Sequence, residues 1–199
     1  MKAESNNASL QRMRRTDQGF SLIEVMISIA LLTIGLLSLL GIFGVAMAAT
    51  QTSQENNTAK LLADEAMEGI LTARETANIS WAQINNTGSG GIFLPGFQPI
   101  DCAGIDGIIG TADDAACGPR TLELPGPNGI FANNCPAAGP DTCLPLTNFQ
   151  RQILISPVIV GGGPPSTTLR QVTITIQYTL PQFNVPRQYV LNTYISPYR

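Results

Sequence analysis

Residues 19–25 read GFSLIEV, and the interpretation of this stretch decides the fold. It stands between a basic leader and a long apolar run, yet it carries a carboxylate, Glu24, five residues past Gly19. From Phe20 to Ala49 thirty residues pass with Glu24 as the only formal charge, no proline and no basic residue. A helix of that length reaches ~45 Å, more than the ~30 Å hydrocarbon core of a bilayer. One charge inside such a span costs on the order of 3 kcal/mol, so Glu24 is by default a functional residue that needs a partner.

The leader, residues 1–19, holds Lys2, Arg12, Arg14 and Arg15 against Glu4 and Asp17. Basic residues on that flank keep the N-terminus in the cytoplasm and send the rest across, which predicts a single-pass signal anchor. The apolar core is too long for an ordinary secretory signal, and it runs into an amphipathic helix rather than a turn. The whole chain has 11 basic and 14 acidic residues, a net −3; without the leader it has 7 and 12, a net −5. An acidic chain offers no broad footprint for nucleic acid, and none is expected as a partner.

Beyond Ala49 the composition turns polar, but Ala59, Leu62, Ala66, Ile70, Ala73 and Ala77 recur at the helical period. With no proline and only Gly69 in the way beyond Ala49, one helix is predicted from Phe20 to Ala77, its second half striped for packing. Residues 85–146 are dense in Gly, Pro, Asn and Asp and read as a loop region. Order returns in residues 147–199. QILISPVIV is broken by Pro157, which suits an edge or bulged strand. In VTITIQYTL, Val172, Ile174, Ile176, Tyr178 and Leu180 share one face, and QYVLNTYIS follows as a further strand. The predicted class is α+β: a long N-terminal helix, membrane half plus amphipathic half, packed on a C-terminal antiparallel sheet. The predicted organisation is a leader (1–19), a membrane helix (20–49) and a globular domain on the far side of the membrane (50–199).

Four cysteines, Cys102, Cys117, Cys135 and Cys143, all follow the span, at spacings of 15, 18 and 8. Without a single histidine a zinc site fits poorly, and two disulfides in an oxidising compartment fit well. Three connectivities are open; sequential pairing, Cys102–Cys117 and Cys135–Cys143, closes the shortest loops. No residue set suits catalysis: there is no histidine base, no nucleophile elbow and no P-loop, so the chain is not expected to be an enzyme. Trp81, the only tryptophan, is expected in the core. Asn56, Asn78 and Asn85 open glycosylation sequons that are expected to be coincidental.

The segment RRTDQGFSLIEVMISIALLTIGLLSLLG, with the layout behind it, resembles the type IV pilin superfamily, and within it the minor-pilin, PilV-like branch. The resemblance implies a structural subunit rather than a catalyst. Gly19 would be the last leader residue and Phe20 the first mature one, cut apart by a prepilin peptidase and N-methylated at Phe20. Glu24 would meet the N-terminal amine of a neighbouring subunit when the helices of minor and major pilins bundle into a filament. Such a subunit would sit in the inner membrane before assembly and in the pilus at the cell surface after it. A minor pseudopilin of a type II secretion system and a ligand-binding tip pilin are the alternatives. The chain departs from major pilins in having Gly41, not a proline, about twenty residues into the mature helix.

One loop adds a cation hypothesis. Asp101, Asp106, Asp113 and Asp114 place four carboxylates in a glycine-rich stretch, and hard oxygen ligands on such a loop suit Ca²⁺. The spacing is not that of an EF-hand, and Asx turns with solvated carboxylates account for the same residues. No other cofactor is expected.

Overall fold

A computed structural model describes residues 19–124, 142–180 and 185–198. The chain forms two compact units, Met1–Met47 and Ala48–Arg199. In chain order the elements are α1 (Leu22–Glu75), a short 3-10 turn (Thr87–Ser89), β1 (Gln98–Pro99), α2 (Asp114–Cys117), β2 (Thr121–Leu124), β3 (Thr142–Pro145), β4 (Phe149–Ile159), β5 (Pro165–Thr179) and β6 (Pro186–Ile195).

In the first unit the described residues are helical from Leu22 onward, and the large apolar side chains are exposed on every side. A helix that is hydrophobic all round needs an apolar surrounding, lipid or other helices. This segment is long and apolar enough to cross a membrane. Three of its hydroxyls are satisfied locally: Ser28 Oγ donates to the Glu24 carbonyl at 2.7 Å, Thr33 Oγ1 to Ala30 at 2.8 Å and Ser38 Oγ to Ile34 at 2.9 Å. That back-bonding is how polar side chains are tolerated where no water is available.

In the second unit, Ala59, Leu62, Ala63, Ala66, Met67, Ile70 and Ala73 form the buried face of α1. They meet Phe149, Ile153 and Ile155 of β4, Val172, Ile174, Ile176 and Tyr178 of β5, and Ile195 of β6 in one core. The alanines let helix and sheet approach closely, while burying each of Leu62, Met67 and Ile70 contributes about 1.5–3 kcal/mol. Polar pins flank this seam: Arg74 Nη1 donates to the Ser196 carbonyl at 3.1 Å and Asn148 Nδ2 to Glu55 at 3.2 Å.

The helix stops two residues before the predicted end. Ala77 adopts a left-handed φ of 61°, is exposed, and so leaves the stripe. The reversal costs roughly 1–2 kcal/mol for an L-residue. It is offset by returning Ile79, 3% exposed, to the core, with the Ile79 amide bonded to the Ala73 carbonyl. Trp81, half-buried against that core, lies in the loop that follows; its ring stacks under the Arg170 guanidinium at 4.3 Å, and Nε1 donates to the Thr167 carbonyl.

The sheet has four antiparallel strands in the order β1-β4-β5-β6. The register shifts between Pro157 and Ile159, where the missing proline N–H interrupts the ladder, and Pro157 lies beyond the reach of β1. Gly161 and Gly162 turn β4 into β5 with φ of 61° and 75°, angles that side chains strongly disfavour. All five predicted inward residues of VTITIQYTL are buried. The region read as loop holds short regular pieces too. β1 adds an edge to the main sheet, and β2 pairs with β3 as a separate two-stranded sheet, Leu122 opposite Leu144.

Candidate functional site

Gly19 and Phe20 precede the helix in non-helical backbone, and Phe20 is 83% exposed, so the bond between them is accessible. The Ser21 carbonyl accepts the amides of Glu24, at 3.0 Å, and Val25, at 3.2 Å, which makes Ser21 the point of helix entry. Glu24 therefore sits in the first turn, three positions after a serine, the spacing of a capping box. A carboxylate there complements the positive end of the helix dipole. It is exposed, and Phe20, Val25, Ile29 and Leu32 outline a shallow apolar groove beside it. The geometry presents an exposed, non-helical Gly19–Phe20 bond and an exposed carboxylate, all within six residues.

The second set of candidates gathers around the disulfide that joins Cys102 to Cys117. Cys143 is also disulfide-bonded, and Cys135 lies outside the described residues. The bridge holds a loop whose aspartates are spent on the loop itself. Asp114 accepts the amides of Gly104, at 3.1 Å, and Gly110, at 2.6 Å. Asp113 accepts the Thr111 hydroxyl at 2.6 Å and the Asp106 amide at 3.2 Å; these bonds hold its carboxyl below the ordinary carboxylate range. Asp106 closes an Asx turn on the Ile108 amide at 2.8 Å. Asp101 forms an isolated bridge with Pro119, and Asp101 and Asp114 are among the residues lining a cavity of about 30 Å³. The four carboxylates thus do not converge on one point, and among the described residues no three His, Cys, Asp or Glu side chains are grouped to hold a metal ion.

The partner of Asp114 is a residue that the sequence reading passed over. Arg151 lies on the inward face of β4, 2% exposed, with Nη2 3.6 Å from Asp114 Oδ2. Its other terminal nitrogen, Nη1, has no hydrogen-bond partner. Burial pushes this guanidinium down to about 10, against the opposing pull of the Asp114 carboxylate. The signal was present: strand parity puts Arg151 on the same side as Phe149, Ile153 and Ile155. Arg120, also passed over, chelates both oxygens of Glu65 at 2.6 and 2.7 Å and ties the disulfide loop to α1. Asn86 is buried and stitches the loop to the free side of β4, donating to the carbonyls of Phe93 and Ile153 and accepting the Ile155 amide.

A long apolar helix followed by an α+β unit with a disulfide-tied loop is a pilin-like architecture. Residues 14–40 match the family model described as the prokaryotic N-terminal methylation motif, the signal carried by type IV pilin-like and pseudopilin precursors. The match contains Gly19, Phe20 and Glu24. Motif and helix together fit a precursor that is anchored in the inner membrane and is a substrate for a prepilin peptidase. Neither a curated protein nor a solved structure gives a match to the chain.

Proposed function

We propose that this chain is a minor type IV pilin, a structural subunit without enzymatic activity that assembles with other pilins through its N-terminal helix. The reading places it at the initiation or tip end of a pilus, after insertion in the inner membrane with the N-terminus cytoplasmic. The observation that supports it most is the methylation motif over residues 14–40, with Glu24 in the first turn of an apolar helix exposed on all sides.

The role of Glu24 follows from electrostatics. Cleavage after Gly19 creates an α-amino group on Phe20, largely cationic at neutral pH given an ordinary pKa near ~8. A carboxylate among apolar helices is tolerable only opposite such a charge, so one stagger of neighbouring helices is favoured and others leave it unpaired. Glu24 acts as a register device. Co-expression with a prepilin peptidase, followed by intact mass and N-terminal sequencing, tests the reading. A methylated Phe20 terminus is expected. An intact leader, or cleavage near Ala48, would overturn it.

A further inference from the structure

A cleft of about 750 Å³ runs between the second half of α1 and the loop 103–109, within the size range of ligand pockets. Its helix wall carries Asp64, Glu65 and Glu68, and no basic residue lines it. Glu65 is engaged by Arg120, but Asp64 and Glu68 make no ion pair with any described residue. They stand four apart on the helix, a like-charge spacing that weakens a helix rather than supporting it. The facing wall is apolar, with Ala103, Ile108 and Ile109, and Leu61 lies 67% exposed at the helix side.

Gly69 supplies an independent observation. It lies inside α1, where glycine costs stability relative to alanine, and its backbone is helical, so no positive φ requires it. A Cβ built there would meet nothing within 4 Å, so no close packing requires it either. What the missing side chain does is leave the cleft floor open between Glu68 and Thr72.

We propose that this cleft binds a basic polypeptide segment. One Lys or Arg side chain lodges between Asp64 and Glu68, and its apolar neighbours rest on Leu61 and Ile108. A bare metal ion is a poorer occupant, because two carboxylates are a sparse ligand set and no third His, Cys, Asp or Glu is grouped with them among the described residues. The proposal stands on the globular unit alone and is independent of the filament reading.

The test is an anisotropy titration of the full chain in nonionic micelles with a labelled Leu-Lys-Ala-Arg-Leu peptide, beside a control with Glu at both basic positions. Saturable binding of the basic peptide only is expected, weakening as salt is raised. Asp64→Asn with Glu68→Gln should weaken it about tenfold, as expected for one half-buried and one exposed charge contact. Gly69→Leu should abolish it by filling the floor without lowering the thermal unfolding temperature, and this variant separates occlusion from misfolding. No saturable binding, equal binding of the acidic control, or full binding by Gly69→Leu would each overturn the proposal.

Discussion

Replacing Asp114 by Asn should be among the most damaging single changes in the globular unit, and more damaging than removing its partner. Asp114 and Arg151 are 9% and 2% exposed at their side chains, so neither charge is relieved by water. The depressed pKa of Arg151 states the same cost from the other side: the folded chain holds that proton less tightly than the unfolded chain does. The contribution of this residue to stability therefore rises as pH climbs above about 10, and at neutral pH the charge is a burden that Asp114 offsets. With the carboxylate gone, a buried guanidinium with one nitrogen already unpartnered loses its counter-charge, at about 3–5 kcal/mol. Arg151→Met leaves Asp114 with the amides of Gly104 and Gly110, and the methionine refills most of the apolar stem, so about 1–2 kcal/mol is expected. Urea unfolding of the full chain in nonionic micelles reads this directly, since Trp81 is the only tryptophan and is packed beneath Arg170. A loss near 4 kcal/mol moves the midpoint down by about 2 M at an m-value of about 2 kcal/mol/M. If Asp114→Asn stays within about 1 kcal/mol of the parent, or Arg151→Met is the worse of the two, the account of this pair is mistaken.

Cys117→Ser opens a loop of sequence separation 15 and should cost about 3 kcal/mol, seen by calorimetry as a Tm lower by about 6–12 °C. Asn86→Ala removes three bonds of one buried amide and strands the Ile155 N–H and the Ile153 carbonyl; a loss of about 2–3 kcal/mol is expected, with fast hydrogen exchange at Ile155. Asp113 has a lowered pKa because the Thr111 hydroxyl and the Asp106 amide bond its charged form. Its contribution to loop order is present above the ordinary value of 3.8 and is lost as pH falls through the lower folded value. The Asp106 amide resonance should accordingly titrate with a midpoint below 3.8, and a midpoint at or above it would refute the assignment.

What could be read from the chain alone divides along a physical line. The span of α1 and the inward face of β5 follow from sustained local patterns, a predominantly apolar run of thirty residues in one case and strict alternation in the other. The irregularity at Pro157 follows from a missing donor. Arg151 was also legible, because parity places it inward, but an arginine in a polar-looking QRQ triplet is easily taken for surface. Contacts between distant residues were not legible. Glu65 and Arg120 are 55 positions apart, Asn86 and Ile155 are 69 apart, and nothing local in either partner announces the other. The four aspartates illustrate the same limit: their spacing is compatible with a cation or with turns, and only the placement of the Gly104, Asp106, Ile108 and Gly110 amides assigns the oxygens of Asp106, Asp113 and Asp114. β2 and β3 escaped notice because each is four residues long and finds its partner across a Gly- and Pro-rich stretch.

The local bonding of Ser28, Thr33 and Ser38 has a consequence for what the first unit can do. Each hydroxyl is already committed to its own helix, and lipid tails are about as apolar as leucine side chains. Moving this segment from acyl chains to a proteinaceous surrounding breaks none of these hydroxyl bonds, so the two media are nearly interchangeable solvents for almost all of it. Reversible transfer then hinges on a single atom group. On the proposed pairing of Glu24 with a neighbour's Phe20 amine, its carboxylate distinguishes the two phases by on the order of 3 kcal/mol, or roughly a hundredfold in partition. The other twenty-nine residues from Phe20 to Ala49 thus supply adhesion without preference, and Glu24 supplies the preference.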